Sequence, residues 1–260
     1  MPRILTYNIH SGRGTDGRLD LHRVVAAIAA EAPDIVALQE VDVGRRRSHG
    51  VDQAHRIAQG LGMTARFQPA LRVLEEQYGD AILTSLPILE IRSGTLPGYP
   101  PLPRLEPRGA LWVSIETAEG PLQVINTHLG LIPREQRAQA RELAGPNWLG
   151  SDERRDPLIL VGDLNATPVA SAYRILAKGL KNAADLVRRT GRIATFPSRM
   201  PVLWIDHVLV SEGIRVLDVR VAASAPARTA SDHRPLVIDF AFDPPRPGAG
   251  SGGQAGGEAG

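Results

Sequence analysis

In the run Leu158-Ile159-Leu160-Val161-Gly162-Asp163-Leu164-Asn165, four large apolar residues in succession stop at a glycine. Two of them are β-branched, and such a run reads as a strand buried on both faces that ends abruptly. Directly beyond it sit a carboxylate and an amide. Asp163 and Asn165 are two apart, so in a chain still extended they project the same way, at the sheet edge where open α/β proteins collect ligands. Taken singly, Gly-Asp-Leu-Asn is turn chemistry, and an Asp or Asn after a strand more often caps a helix than takes part in a reaction.

The neighbouring segments repeat the pattern. Towards the N-terminus, Ile4 to Ile9 reads as a strand and is followed by the glycine-rich Ser11 to Gly17, which lacks a Gly-Lys-Ser/Thr ending or GxGxxG spacing and so is a flexible loop. Asp20 can cap a helix starting near Leu21, and Pro33 forces its exit. Ile35 to Leu38 is a short buried strand ending at Gln39-Glu40; Val51 to Leu61 reads as a helix and Gly79 to Thr84 as a strand that starts with an acid. Residues 93–108, crowded with Pro and Gly, predict a long surface loop near the site. Gly109 to Thr117 and Leu122 to Thr127 alternate as a hairpin that ends in Asn126-Thr127-His128. A helix from Pro133 to about Leu149 and another after Pro168 flank the central strand, and Val202 to Val210, Ile214 to Val221 and Leu236 to Phe242 complete the strands. From Asp243 onward only Pro, Gly, Ala and a few polar residues remain, so one domain over 1–242 and a disordered tail over 243–260 are expected.

Composition removes several classes. With 260 residues and 43% hydrophobic content the chain can bury one large core, and with no cysteine it has neither a disulfide framework nor a thiolate zinc site. The net charge is only +2, and every basic residue except Lys178 and Lys181 is Arg. Arg45-Arg46-Arg47, and the looser group Arg188, Arg189 and Arg192, read first as solvated loops and only second as phosphate-attracting patches. No stretch approaches the ~20 apolar residues of a membrane span, and Met1-Pro2-Arg3 leads straight into a strand without a secretory apolar region. A cytoplasmic protein with no integral membrane segment is the expectation.

Asn8, Glu40, Asp80, His128, Asp163 with Asn165, Asp206, and Asp232 with His233 all fall at or beside strand edges. One such residue is best explained as a satisfied turn or core group; the whole set is poorly explained as accident. At this point the sequence resembles the endonuclease/exonuclease/phosphatase superfamily. The resemblance rests on Thr6-Tyr7-Asn8-Ile9-His10, Leu38-Gln39-Glu40-Val41, Tyr78-Gly79-Asp80-Ala81-Ile82-Leu83, Asn126-Thr127-His128-Leu129, Gly162-Asp163-Leu164-Asn165, Ile205-Asp206-His207-Val208 and Ser231-Asp232-His233-Arg234-Pro235. These come in the family's order and span nearly all of residues 3–242. The resemblance implies an α/β four-layer sandwich, two mixed β-sheets packed face to face with helices outside, and metal-dependent cleavage of a phosphate ester.

Carried over residue by residue, the resemblance makes Glu40 the principal Mg²⁺ ligand with Asn8 beside it, and Mn²⁺ a possible substitute. Oxygen ligands from carboxylate and amide are what Mg²⁺ takes. It makes His233 the catalytic histidine, Asp206 the carboxylate that orients it, Asp163 the residue that positions or activates water and Asn165 a holder of a phosphate oxygen. Asp232 is expected to reach a metal or to support His233. His128 resembles the second histidine of DNase I and the sphingomyelinases, placed to protonate a leaving alkoxide. Asp80, where many relatives have Asn, either partners His128 or faces water. Arg108 is expected to buttress the site or touch phosphate, and Thr195-Phe196-Pro197 resembles a loop lying against the leaving group. His10 and His207 are expected to be structural, His22, His49 and His55 to lie on the surface, and Trp204 in the core.

The function implied is a monomeric Mg²⁺-dependent hydrolase of phosphate esters, with a phospholipid-like or small phosphodiester as the first substrate and a DNase I-like or abasic-site nuclease, with nucleic acid as partner, as the alternative. A nuclease would lose activity steeply with salt. A remote third reading, a binding module with dead chemistry, predicts loss of Glu40, Asp163, Asp206 or His233, and none is missing. Specificity is expected in the loops at 44–52, 93–108 and 191–203.

Overall fold

The computed structural model describes residues 1–188 and 193–243. The first half of the chain runs Arg3–Asn8 (β1), Leu21–Ala29 (α1), Ile35–Val43 (β2), Gln53–Leu61 (α2), Thr64–Val73 (β3) and Glu76–Thr84 (β4). The second runs Ile88–Thr95 (β5), Gly109–Thr117 (β6), Gly120–His128 (β7), Pro133–Ala144 (α3), Leu158–Asp163 (β8), Ser171–Leu176 (α4), Lys181–Asn182 (β9) and Asp206–Val210 (β10). Ile214–Val221 (β11), Ala225–Thr229 (α5) and Leu236–Phe242 (β12) then return to the first sheet.

Two six-stranded sheets result, in the orders β11-β12-β1-β2-β4-β3 and β5-β6-β7-β8-β10-β9. Each is antiparallel except for one central parallel pair, β1 with β2 and β7 with β8. Alternate side chains of the central strands bury in different layers, which is why those strands read as unbroken apolar runs. Ile4, Ile35, Ile159 and Val161 meet between the sheets in one core cluster. Leu5, Tyr7, Val36 and Leu38 pack outward among residues of α1, α2 and α5, and Leu158 and Leu160 outward among residues of α3 and α4. The sequence-based expectation of two mixed sheets with helices outside holds.

Local signals set the helix ends. Asp20 caps α1 by accepting from the backbone N–H groups of His22 and Arg23, at 3.0 and 3.3 Å, and Asp52 caps α2 through His55 N–H at 2.9 Å. α3 opens on Pro133 but stops at Ala144, not Leu149, because Gly145-Pro146 follows. β10 begins at Asp206 rather than Val202; Leu203 instead bridges back to Phe196. β3 and β5 were not anticipated. Both are polar-patterned outer strands, and β3 contains Pro69, which an edge strand tolerates because proline has no N–H to donate to a ladder. The start of the expected 93–108 loop is therefore the end of β5. No helix among the described residues is long and apolar enough to cross a membrane. The tail expected to be disordered, and Arg189 and Arg192 of the second arginine group, lie outside the described residues.

Candidate active site

Two glycines permit the strand geometry that presents the acids. Gly162 has φ +142°, and a Cβ there would stand 1.9 Å from the Thr127 carbonyl oxygen of the adjacent strand. Gly79, one residue before Asp80, is as tight, 1.9 Å from the Gln68 carbonyl oxygen. Elsewhere the backbone departs from ordinary values at the site itself: His10, Ser11, Glu40 and Asn165 account for four of the seven non-glycine residues with positive φ among those described. Such residues persist only where surrounding contacts fix them.

Glu40, expected at the end of a strand, sits inside β2, where the pairing with β4 shifts register between Leu38 and Val41. Its φ of +57° turns the side chain out of the ladder. The bulge is held from the opposite sheet. Asn126, fully buried in β7, donates from Nδ2 to the carbonyls of Leu38 (2.8 Å) and Ala81 (2.9 Å) and accepts from Gln39 Nε2 at 2.7 Å. Gln39 in turn donates to Thr6 Oγ1 at 3.0 Å.

Asn8 ends β1 and joins the sheets. Its Nδ2 donates to Glu40 Oε1 and to Asp163 Oδ2, both at 3.0 Å, while its Oδ1 accepts from the His10 backbone N–H at 3.0 Å. Because a backbone N–H can only donate, the amide orientation is fixed. Asn8 therefore turns its nitrogen to both carboxylates and ties Glu40 to Asp163 across the two sheets.

Asp163 lies at the centre, buried. Its Oδ2 is 3.6 Å from His128 Nε2 and 3.6 Å from His233 Nε2, and its Oδ1 accepts from Asn165 N–H at 2.8 Å. Burial raises its carboxyl to about 7, Asp206 adds to the rise, and His233 and the Asn8 hydrogen bond oppose it. His233 Nδ1 donates to Asp206 Oδ2 at 2.8 Å, and Thr195 Oγ1 donates to the same oxygen. Burial alone would lower the His233 pKa, but Asp206, through charge and hydrogen bond, and Asp163 raise it to about 10. The Phe196 ring packs on the imidazole at a centroid distance of 4.9 Å.

His128 is governed differently. Burial holds it well below the ordinary histidine range, and Arg108 and His233 push the same way, so its imidazole is neutral. Arg108 Nη1 lies 3.0 Å from His128 Nδ1 and 3.0 Å from Glu106 Oε2. An arginine can only donate, so Nδ1 accepts and the ring proton sits on Nε2. Asn165 Nδ2 donates to the Leu129 carbonyl oxygen at 3.0 Å and lies 2.9 Å from that same Nε2, so it makes no hydrogen bond to a protonated Nε2. Asn165 has φ +47°, so it reaches His128 through a turn and not through the extended chain read from the sequence.

Asp80 does not take the partnership with His128 weighed from the sequence, since Arg108 occupies Nδ1. Asp80 is buried, pushed well above the carboxylate range by desolvation and held down in part by the Arg108 charge. Asp232 accepts from Ser231 Oγ at 3.3 Å and lies 3.7 Å from His10 Nδ1 at the open side of the site. His10, expected to be structural, is half-exposed there and its charge acts on Glu40. His207 is structural as expected, donating from Nε2 to Ala166 O at 2.8 Å between the Tyr173 and Trp204 rings. Arg45 faces Glu76 and Arg47 is bound to buried Asp42 at 2.7 Å, whereas the Arg46 side chain, 3.7 Å from Glu76, is 97% exposed. Sequence reasoning missed Asn126, Gln39 and Ser231. All three lie in quoted motifs, but the role of the first two depends on the opposite sheet, and that of Ser231, which donates to the Asn8 carbonyl at 2.7 Å, on a strand 223 positions away.

The donor set suits a hard divalent cation. Glu40, Asp163 and Asp232 offer only oxygen, and burial raises Glu40 as it raises Asp163, with Asn8 and His10 as the chief relief for Glu40. Asp163, Asp206 and His233 also bring ligand atoms within 4.8 Å of one another, but a proton already bridges His233 to Asp206.

The chain matches the Endonuclease/Exonuclease/phosphatase family over residues 5–233. No curated protein matches it. Among solved structures it is similar to an endonuclease/exonuclease/phosphatase from Bacteroides vulgatus, at TM-score 0.75 and 22% identity over 93% of this chain and 99% of that one. It is also similar to the human Nocturnin catalytic domain with bound sulfate, at TM-score 0.71 and 22% identity over 93% of each chain. A third is a mannosyl-6-phosphatase from Bacteroides thetaiotaomicron, at TM-score 0.70 and 19% identity, covering 93% of this chain and all (100%) of that one. With the family match spanning the fold and every residue of the central cluster, the chain belongs to the endonuclease/exonuclease/phosphatase family of metal-dependent phosphoric ester hydrolases.

Proposed function

We propose that the protein is a monomeric Mg²⁺-dependent phosphodiesterase, with Mn²⁺ able to substitute, acting on a phospholipid-like or small diester. The observation that supports it most is the placement of one charged and one neutral imidazole, His233 and His128, each with Nε2 3.6 Å from the same carboxylate oxygen of Asp163. A phosphate flanked by two such donors and a base is what in-line displacement at phosphorus requires.

Glu40 and Asp232 would hold the metal, which when bound neutralises a phosphate oxygen. The protein's own groups do the rest. Asp163, with a pKa of about 7, is partly ionised near neutrality and can take a proton from the attacking water. Asn8 keeps that carboxylate and Glu40 in place. His233, held as imidazolium by Asp206, donates from Nε2 to a phosphate oxygen and offsets the charge that grows on it. His128 stays neutral and donates its Nε2–H, its orientation set by Arg108. This changes its role: a neutral imidazole stabilises a leaving oxygen by hydrogen bonding rather than delivering a proton as an imidazolium.

The test is hydrolysis of a bis-aryl phosphate diester by wild type, His233→Ala and Glu40→Gln with Mg²⁺, Mn²⁺ or excess chelator. Turnover should require metal and fall by about 10²-fold or more in His233→Ala, the scale of lost acid–base catalysis. Glu40→Gln should need more metal for half-maximal rate. Chelator-resistant turnover, or an unaffected His233→Ala, would overturn the assignment.

A further inference from the structure

The edge of the second sheet that carries the site also carries an unusual rim. Four loops meet there by topology. Residues 129–132 leave the end of β7 and residues 164–170 the end of β8, which are parallel; residues 96–108 enter β6 and 196–205 enter β10, which run antiparallel to them. Each loop adjoins a site residue, His128, Asp163, Arg108 and Asp206 respectively. Half of the large apolar side chains exposed on the described residues sit on these loops: Leu102, Leu131, Val169, Met200, Val202 and Leu203, with Val169 79%, Met200 71% and Leu131 69% exposed.

The exposed charges beside these side chains are basic. Arg104, Arg134 at the first turn of α3, and Arg199 are exposed next to Leu102, Leu131 and Met200. The acids there are Glu106, bound to Arg108 at 3.0 Å, and Glu135, buried in the same turn as Arg134. A soluble surface normally scatters exposed aliphatics and mixes charges. Aliphatic tips flanked by exposed arginines, with the neighbouring acids paired or buried, are the composition that enters the headgroup layer of a bilayer, with the apolar ends in the acyl boundary and the guanidinium groups on lipid phosphate. Nucleic acid would call for exposed stacking rings; of the rings on these loops Phe196 packs on His233 and Trp204 on His207, Tyr99 is half-buried, and the exposed large apolar side chains are aliphatic.

We propose that this rim docks the protein on an anionic lipid surface, bringing the site directly onto headgroup phosphodiesters. The proposal rests on the phosphodiesterase reading for its consequence, but the docking itself does not depend on turnover. In sedimentation with vesicles of phosphatidylcholine and phosphatidylglycerol in equal amounts, the wild type should co-sediment, and vesicles of phosphatidylcholine alone should capture it more weakly. Leu131→Ser combined with Met200→Ser should lower partitioning by about tenfold or more, as expected when two large aliphatic side chains no longer bury. Both positions are exposed, so melting temperature should not move. Leu74→Ser, an equally exposed leucine at the β3–β4 turn, should leave partitioning unchanged. The bis-aryl diester, assayed in parallel, separates the two ideas: double-variant turnover equal to wild type with lost vesicle binding supports the rim. Absence of wild-type binding to anionic vesicles, binding indifferent to the double substitution, or preference for duplex DNA over vesicles would overturn it, whatever the diester assay gives.

Discussion

Asn126→Leu tests whether the Glu40 carboxylate is positioned from the opposite sheet. The substitution roughly preserves volume and removes all three hydrogen bonds of a fully buried side chain. Two carbonyls, of Leu38 and Ala81, lose a donor at 2.8 and 2.9 Å. Gln39 Nε2 loses its shortest acceptor but keeps Thr6 Oγ1 at 3.0 Å and Ala37 O at 3.3 Å, so its share is small. At about 1–3 kcal/mol for each buried polar group left unpaired, the two carbonyls sum to about 2–6 kcal/mol. For a domain of this size that lowers Tm by about 4–24 °C. Asn126→Asp should be worse despite its closer shape, because it aims a carboxylate oxygen at two carbonyls. The bulge that gives Glu40 its positive φ should relax in both variants, so the Mg²⁺ concentration for half-maximal diester hydrolysis should rise even at temperatures where the protein is fully folded. Calorimetry and a metal titration read the two effects. If Asn126→Leu melts within about 2 °C of wild type and titrates identically, or if Asn126→Asp is the milder variant, the cross-sheet account is wrong.

Two further outcomes follow from the packing. Gly162→Ala places a methyl 1.9 Å from Thr127 O at φ +142° and should cost about 3 kcal/mol or more, with Asp163 displaced and activity falling too, whereas Gly179→Ala, which meets nothing within 4 Å, should melt like wild type. His207 is held neutral down to about pH 4 by burial, against an ordinary value of 6.5, so the unfolded chain takes up its proton first as pH falls. That removes stability between pH 6.5 and 4, about 3 kcal/mol at the lower end, and is absent in His207→Gln; denaturation curves that stay parallel for the two proteins across that window would refute it.

The parts of the fold legible in the sequence are those buried on both faces. β1, β2, β7 and β8 announce themselves as apolar runs, and the acids and amides at their ends stand out against them. β3 and β5 do not, because an outer strand with one wet face and residues such as Arg66, Gln68, Leu89 and Ile91 carries no clean alternation. At the site, residue identities were legible but relations were not. Nothing in Tyr78-Gly79-Asp80 says that Arg108, 20 residues before His128, and not Asp80, holds that imidazole. Nor does Leu38-Gln39-Glu40 disclose a bulge closed by an amide 88 positions away. Such relations come from the contact of two sheets, and only the assembled sandwich contains them.

The two sheet orders are the same order. In each, two antiparallel strands lead to a central parallel pair joined by a helical crossover, and two more antiparallel strands follow. The same strand pattern thus occurs twice, and the site lies where the two sheets meet. Asn8 and His128 end the first strand of each parallel pair, Glu40 and Asp163 lie at the second, Asp80 and Asp206 occupy the strand beyond, and Arg108 and His233 stand just ahead of the strand that leads in. Equivalent framework positions thus carry Asn8, Glu40, Asp80 and His233 in one sheet and His128, Asp163, Asp206 and Arg108 in the other. Each sheet delivers one imidazole to the shared centre, and His233 of the first is held by Asp206 of the second, so neither sheet alone contains a complete set.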